Sequence, residues 1–162
     1  AQTCDITTAK VVALDQVIVY NRLGAFNPAG MIFALSRDVF PKGTAPADET
    51  LANSCAGDGT CTAGEVQLRS TKRPRPLTLR VNEGCTLSVD FRNLLSGTAI
   101  TGAGNQPDDV QLPGIQSEQP VTRTAGIHIH GMKLTSGIGS DASKVGGNVS
   151  SLVAPGEQIT YT

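Results

Sequence analysis

The chain holds two histidines among its 162 residues and sets them two apart. His128 and His130 lie in "TAGIHIHGMKL", Thr124 to Leu134, with Ile129 between them and Gly131 directly after. In an extended segment, residues two apart share a face, with Cα atoms about 6.5–7 Å apart. Both imidazoles then project to one side, and Ile127 and Ile129 to the other, toward a core. Gly131 has no Cβ and permits a sharp exit from the segment. Paired imidazoles backed by hydrophobes are a natural way to present metal ligands, and imidazole suits copper, zinc, iron and nickel. Two histidines cannot fill the three or four protein positions of a usual site. A metal here needs Asp, Glu, water or another polypeptide segment to complete its shell. The plain alternative is two histidines on a solvent-facing strand.

Other chemistries find less in the sequence. No CxxC pair exists, which argues against a zinc ribbon or a thioredoxin motif. A type 1 copper set needs Cys with two His and usually Met. Met31 and Met132 are present, but no cysteine lies in a His-bearing loop. No Ser-His-Asp or Cys-His arrangement has support, and "TGAG" and "GGN" lack the strand–glycine–helix setting of a phosphate loop. Asp141 follows the histidine segment in a Gly/Ser-rich stretch and reads as a solvated loop residue, the alternative being a place near a metal cluster or a proton path. "NVS" at Asn148–Ser150 matches a glycosylation acceptor.

The elements that must carry the histidines read as strands. The 18 glycines and 9 prolines, and the absence of tryptophan, leave few windows for a long helix and point to an all-β sandwich or barrel. "KVVALDQVIVYNR", Lys10 to Arg22, is rich in Val and Ile and reads as a long, irregular strand, with a second over Met31–Asp38. In "PLTLRVNEGCTLSVDFRNLL" Leu77, Leu79 and Val81 alternate with Thr78 and Arg80. After a turn at Asn82–Gly84, Leu87, Val89 and Phe91 alternate with Ser88, Asp90 and Arg92. A further strand covers Thr122–Lys133, and a last one follows a turn at Pro155–Gly156. Residues 41–64 are poor in apolar side chains and read as a long surface excursion. Residues 96–119 also read as loop.

Length fits one domain, residues 1–162. Fourteen acidic residues nearly balance thirteen basic ones, which argues against a nucleic-acid binder and a polybasic membrane anchor. The one basic run, "TKRPRP", reads as an extended, solvated connector. No stretch approaches the ~20 apolar residues of a membrane span. The even cysteine count suggests two disulfides and an oxidising compartment. Four cysteines allow three connectivities. "CAGDGTC" brackets a short glycine-rich loop, so Cys55–Cys61 closes with little rearrangement, and Cys4–Cys85 is then the second expected pair. "AQTCD" suits a mature N-terminus after signal cleavage, so a secreted or periplasmic protein is expected.

Three segments, in order, carry a resemblance. "HIHG" resembles the first copper-binding motif of the multicopper oxidases, the family of laccase, ascorbate oxidase and bilirubin oxidase. "RPLTLRVNEGCTLSVDFRNLL" is similar to the segment that precedes it there, and "SLVAPGEQITYT" to the strand downstream. The resemblance covers residues 76–162 well and residues 16–37 loosely; the excursion at 41–64 has no counterpart. It implies a cupredoxin-like Greek-key β-sandwich, the N-terminal domain of a laccase-like oxidase. It implies that His128 is a type 2 copper ligand and His130 a type 3 ligand of a trinuclear cluster. The family builds that cluster from eight histidines in four His-x-His pairs, two from the first domain and two from the last. The chain has one pair, so the resemblance implies an N-terminal piece of a longer oxidase, inactive alone. The remaining cupredoxin domains would then be its partners, and dioxygen and a reducing substrate the reactants of the parent.

Two other readings compete. "AGIHIHG" also resembles the GxHxH segment of copper–zinc superoxide dismutase, but that enzyme needs further histidines that the chain lacks. A non-enzymatic extracellular β-sandwich module, used for binding or assembly without metal, is the other.

Overall fold

The run "VVAL" at Val11–Leu14 has no polar residue, and a strand wetted on one face would alternate. The computed structural model, which describes residues 6–27, 30–57, 60–97, 123–142 and 150–162, shows why. Strand β1 (Thr7–Asp15) is buried on both faces over this run. Val11 and Ala13 enter one core with Val89, Phe91, Leu95, Val153 and Tyr161. Val12 and Leu14 enter another with Ala34, Val39, Val66 and Leu94.

The described residues are mostly strand and irregular chain, with helix limited to three-residue 3₁₀ turns. The remaining strands are β2 (Ile18–Val19), β3 (Phe26–Asn27), β4 (Met31–Leu35), β5 (Val39–Pro41), β6 (Val66–Leu68), β7 (Leu87–Asn93) and β8 (Gln158–Tyr161). The main sheet is mixed, in the order β4-β1-β7-β8. β1 runs parallel to β7, with Thr7 opposite Leu87 and Ala13 opposite Asn93. β4 and β8 flank them antiparallel. β2–β3 and β5–β6 form separate two-stranded antiparallel pairs. The chain is therefore all-β in class, as its composition implies.

Several segments differ from their expected form. The long strand over Lys10–Arg22 is split, β1 ending at Asp15 and β2 starting at Ile18. The strand expected over Met31–Asp38 stops at Leu35 and turns through a 3₁₀ turn at Ser36–Asp38. Leu77, Leu79 and Val81 alternate in burial as their pattern implies, and Leu77 and Leu79 pack on the β7 core, yet they join no ladder among the described residues. Alternation reports one apolar face, and that face is satisfied here by side-chain packing without strand pairing.

The excursion is held down at several points. Cys55–Cys61 is a disulfide, Cα–Cα 5.6 Å, as its short loop allows. Cys85 is also disulfide-bonded; Cys4, its expected partner, lies outside the described residues. The buried Glu49 accepts from the Ser70 backbone N–H at 2.8 Å and from its hydroxyl at 2.9 Å, while its carbonyl accepts from Arg69 at 2.7 Å. Arg69 also lies 4.8 Å over the Phe40 ring and pairs with Asp38 at 3.3 Å. These contacts join the excursion to β5 and β6, an arrangement its low hydrophobicity did not signal. Asn148 of the Asn148–Ser150 acceptor and most of the expected loop at 96–119 lie outside the described residues.

Candidate metal-ligand site

The histidine segment is pinned from three directions. Asn93, at the end of β7, is fully buried; its amide donates to the carbonyls of Arg123 and Val153, each at 2.8 Å. Its side-chain oxygen accepts from the Leu95 backbone at 3.0 Å. Ala125 and Val153 then exchange both backbone hydrogen bonds across an isolated bridge. Two residues on, the Ile127 carbonyl accepts from Ala142 at 3.1 Å. A strand expected over Thr122–Lys133 is thus, among its described residues, one bridge at Ala125 followed by irregular chain and a turn at His130–Gly131. Gly131 takes φ +80°, a conformation that favours glycine.

An ion pair with a buried arginine braces the entry to this segment. Arg123, 5 % exposed at its side chain, pairs with Asp15 at the end of β1. It also donates to the Ser96 carbonyl at 3.0 Å, and Asp15 accepts from the Ser96 N–H at 2.7 Å.

Gly126 is fixed by space. A Cβ there would meet the Ala142 Cβ at 2.4 Å and the Tyr161 hydroxyl at 2.9 Å. Tyr161 donates from that hydroxyl to the Ser151 carbonyl at 2.7 Å. Its phenol is raised above the ordinary value, first by burial; a backbone hydrogen bond from Ile127 acts the other way, and the Asp141 charge adds to the rise.

The two imidazoles come out side by side. Their centroids are 4.4 Å apart, and the rings meet edge to face at 82°. Both residues are exposed; the His128 side chain is 38 % accessible. Ile127 packs on the core, as an inward-facing neighbour should, but Ile129 stays half open. Ile127, Ile129 and Met132 line a mostly apolar pocket of about 320 Å³ with Leu87, Val89 and Tyr161.

Asp141 corrects the expectation of a solvated loop residue. It is buried, and its carboxylate bonds Nδ1 of His128. The Ser151 hydroxyl donates to its carbonyl, and its backbone N–H follows a 3₁₀ turn at Ile138–Ser140. A carboxylate accepts, so Nδ1 is the donor of this bond and Nε2 is the ring nitrogen that it does not occupy. That is the carboxylate–histidine arrangement that orients metal ligands. Among the described residues no group of three or more His, Cys, Asp or Glu side chains converges to hold a metal ion.

Asn93 is the site residue that the pattern reading missed, and Asp141 is one that it singled out but read as solvated. Asn93 falls in phase with the inward-facing Val89 and Phe91, and a polar residue in a buried phase was the available signal. Asp141 had none, since its burial depends on partners distant in sequence. No protein-family model, curated protein or solved structure matches the chain.

Proposed function

We propose that the chain is the cupredoxin-like first domain of an exported multicopper oxidase. In this reading its Greek-key sandwich presents His128 and His130 as one ligand pair for a trinuclear copper site. The observation that carries it is the paired, exposed imidazoles, one of them oriented by the buried Asp141 carboxylate. The donor set fits copper: imidazole is a suitable ligand, Nε2 of His128 is the nitrogen left to bind, and Asp141 is the outer partner that ligating histidines usually have. The order of "HIHG" and its two flanking segments supports the family, and the mixed all-β sheet is compatible with the sandwich.

When bound, copper in the completed site would supply the redox capacity that reduces dioxygen to water with electrons from a reducing substrate. The protein's own part is to hold and aim ligands. His128 takes the type 2 position and His130 a type 3 position. With two histidines in the chain, the other ligands come from further cupredoxin domains of the parent oxidase, and the chain alone does not turn over.

The test is a titration of the intact chain with Cu(II) alone, read by calorimetry and the visible spectrum. His128→Ala and His130→Ala each weaken uptake, and the double variant abolishes it. Copper uptake unchanged in the double variant overturns the reading and favours a metal-free binding or assembly module.

A further inference from the structure

Five of the thirteen basic residues and none of the fourteen acidic ones fall between Arg69 and Arg80. The near-balance of the whole chain hides this, since eight basic against fourteen acidic residues leave the remainder at a formal −6. Asp38 takes up two of the five cations: Arg69 pairs with it at 3.3 Å and Lys72 at 3.6 Å. Arg73, Arg75 and Arg80 are exposed, and among the described residues no carboxylate pairs with any of them.

The strip is extended and held down. A turn closes its start: the Lys72 N–H donates to the Arg69 carbonyl at 2.9 Å, and the Arg69 N–H to the Asp38 carbonyl at 2.8 Å. Arg73 and Arg75 each precede a proline, which drives both toward extended backbone. Leu77 and Leu79 then pack on the β7 core, so the alternating Thr78 and Arg80 face outward. An extended chain advances ~3.1–3.3 Å per residue, so Arg73 to Arg80 covers up to about 22 Å. The strip passes beside β4, the edge strand of the main sheet. A groove of about 200 Å³ lies there, lined by Phe33 and Leu35 of β4, by Asp38, and by Lys72, Arg73 and Arg75.

We infer that this strip is a binding surface for a linear anionic polysaccharide, one whose carboxylate or sulfate groups repeat along its length. Arginine's planar fork meets such oxyanions through paired hydrogen bonds. One exposed ion pair gains little, so a small free anion is held weakly. A polymer engages several cations at once, and the pre-extended backbone lowers the cost of ordering them. Other partners fit less well. No aromatic residue lies between Arg69 and Arg80 to stack on single-stranded bases, and Phe33 in the groove is engaged edge to face with Phe91. A remainder at −6 repels the dense charge of a duplex. A further protein domain seated on the strip would bury the arginines and have to return a carboxylate to each. A hydrated polysaccharide meets them from solvent. The inference does not rest on the copper reading.

The test is titration calorimetry of the intact chain with heparin and with polygalacturonate, in low and high salt, with dextran as the neutral control. Binding to at least one polyanion, weakened by salt, and none to dextran are expected. The tighter of the two shows whether sulfate or carboxylate is preferred. Arg73→Gln with Arg75→Gln and Arg80→Gln weakens binding by about tenfold or more, since three weak contacts act together. The three side chains are exposed and unpaired, so the unfolding midpoint of this variant stays at the parent's. Lys10→Gln with Arg22→Gln removes exposed cations elsewhere and loses less affinity than the strip variant. Failure to bind either polyanion overturns the inference, as does binding that the triple variant leaves intact. Tighter binding of oligothymidylate, polyglutamate or phosphatidylserine vesicles than of both polysaccharides overturns it in favour of a nucleic acid, an acidic polypeptide or a lipid surface.

Discussion

Asp141 and His128 form one unit: a buried carboxylate holds Nδ1 of an imidazole whose side chain is 38 % exposed. The carboxylate is anchored through its own backbone, by Ser151 and the Ile138 carbonyl, so the ring inherits its orientation from the core. Asp141→Asn keeps the shape and removes the charge. Under the copper reading, Cu(II) affinity then falls by about 10- to 100-fold, the usual cost of losing an outer-shell partner. Titration calorimetry of Asp141→Asn beside His130→Ala checks this; an Asn variant that binds as tightly as the parent shows that the pair does not prepare a ligand.

Gly126 and Gly131 flank the histidines and are needed for different reasons. Gly126→Ala drives a methyl into Ala142 and the Tyr161 hydroxyl. Overpacking of this kind costs about 1–3 kcal/mol. Gly131→Ala meets nothing within 4 Å and suffers only from its positive φ, worth about 1–2 kcal/mol. Urea unfolding ranks them. Raising the side chain to Val widens the gap, because only the first site is closed by neighbours.

Asn93 joins β7 to both halves of the histidine support. Asn93→Leu is close in size; it leaves the Arg123 carbonyl and the Leu95 N–H without their Asn93 partner, while the Val153 carbonyl keeps its bond from the Ala125 N–H. Each stranded buried group costs about 1–3 kcal/mol. A loss of several kcal/mol in denaturant unfolding is expected, with faster amide exchange at Ala125 and Val153. Asn93→Asp destabilises as well, since it sets a second acceptor against those carbonyls.

How much of this was legible follows from where each signal lives. Local signals read well: the apolar run at Val11–Leu14, the alternation at Leu87–Phe91, the short Cys55–Cys61 loop and the turn before Gln158 all have their causes within a few residues. Alternation at Leu77–Val81 misled, because an apolar face does not by itself require a ladder partner. The histidines' spacing located the candidate pair, but not its support. That support comes from Asn93, Asp141 and Tyr161, which meet only after the chain has folded around β7 and β8. A carboxylate in a Gly/Ser-rich stretch looks solvated until the residues that bury it are known.

Tyr161 gives the fold an alkaline limit. Burial holds its phenol neutral above the ordinary value of about 10, and the nearby Asp141 charge adds to this. The unfolded chain releases that proton first, so between the ordinary and the raised value the native state binds more protons. Stability from this group is therefore complete below about pH 10 and is lost as pH climbs through the native value. Tyr161→Phe removes this dependence while forfeiting the hydrogen bond to Ser151, so it is less stable at neutral pH but flatter in alkali. Thermal unfolding of both proteins on either side of pH 10 checks the sign. Equal alkaline slopes in the two would place the proton release elsewhere. A difference in phenolate absorbance between the two, appearing only above that pH, would assign it to this side chain.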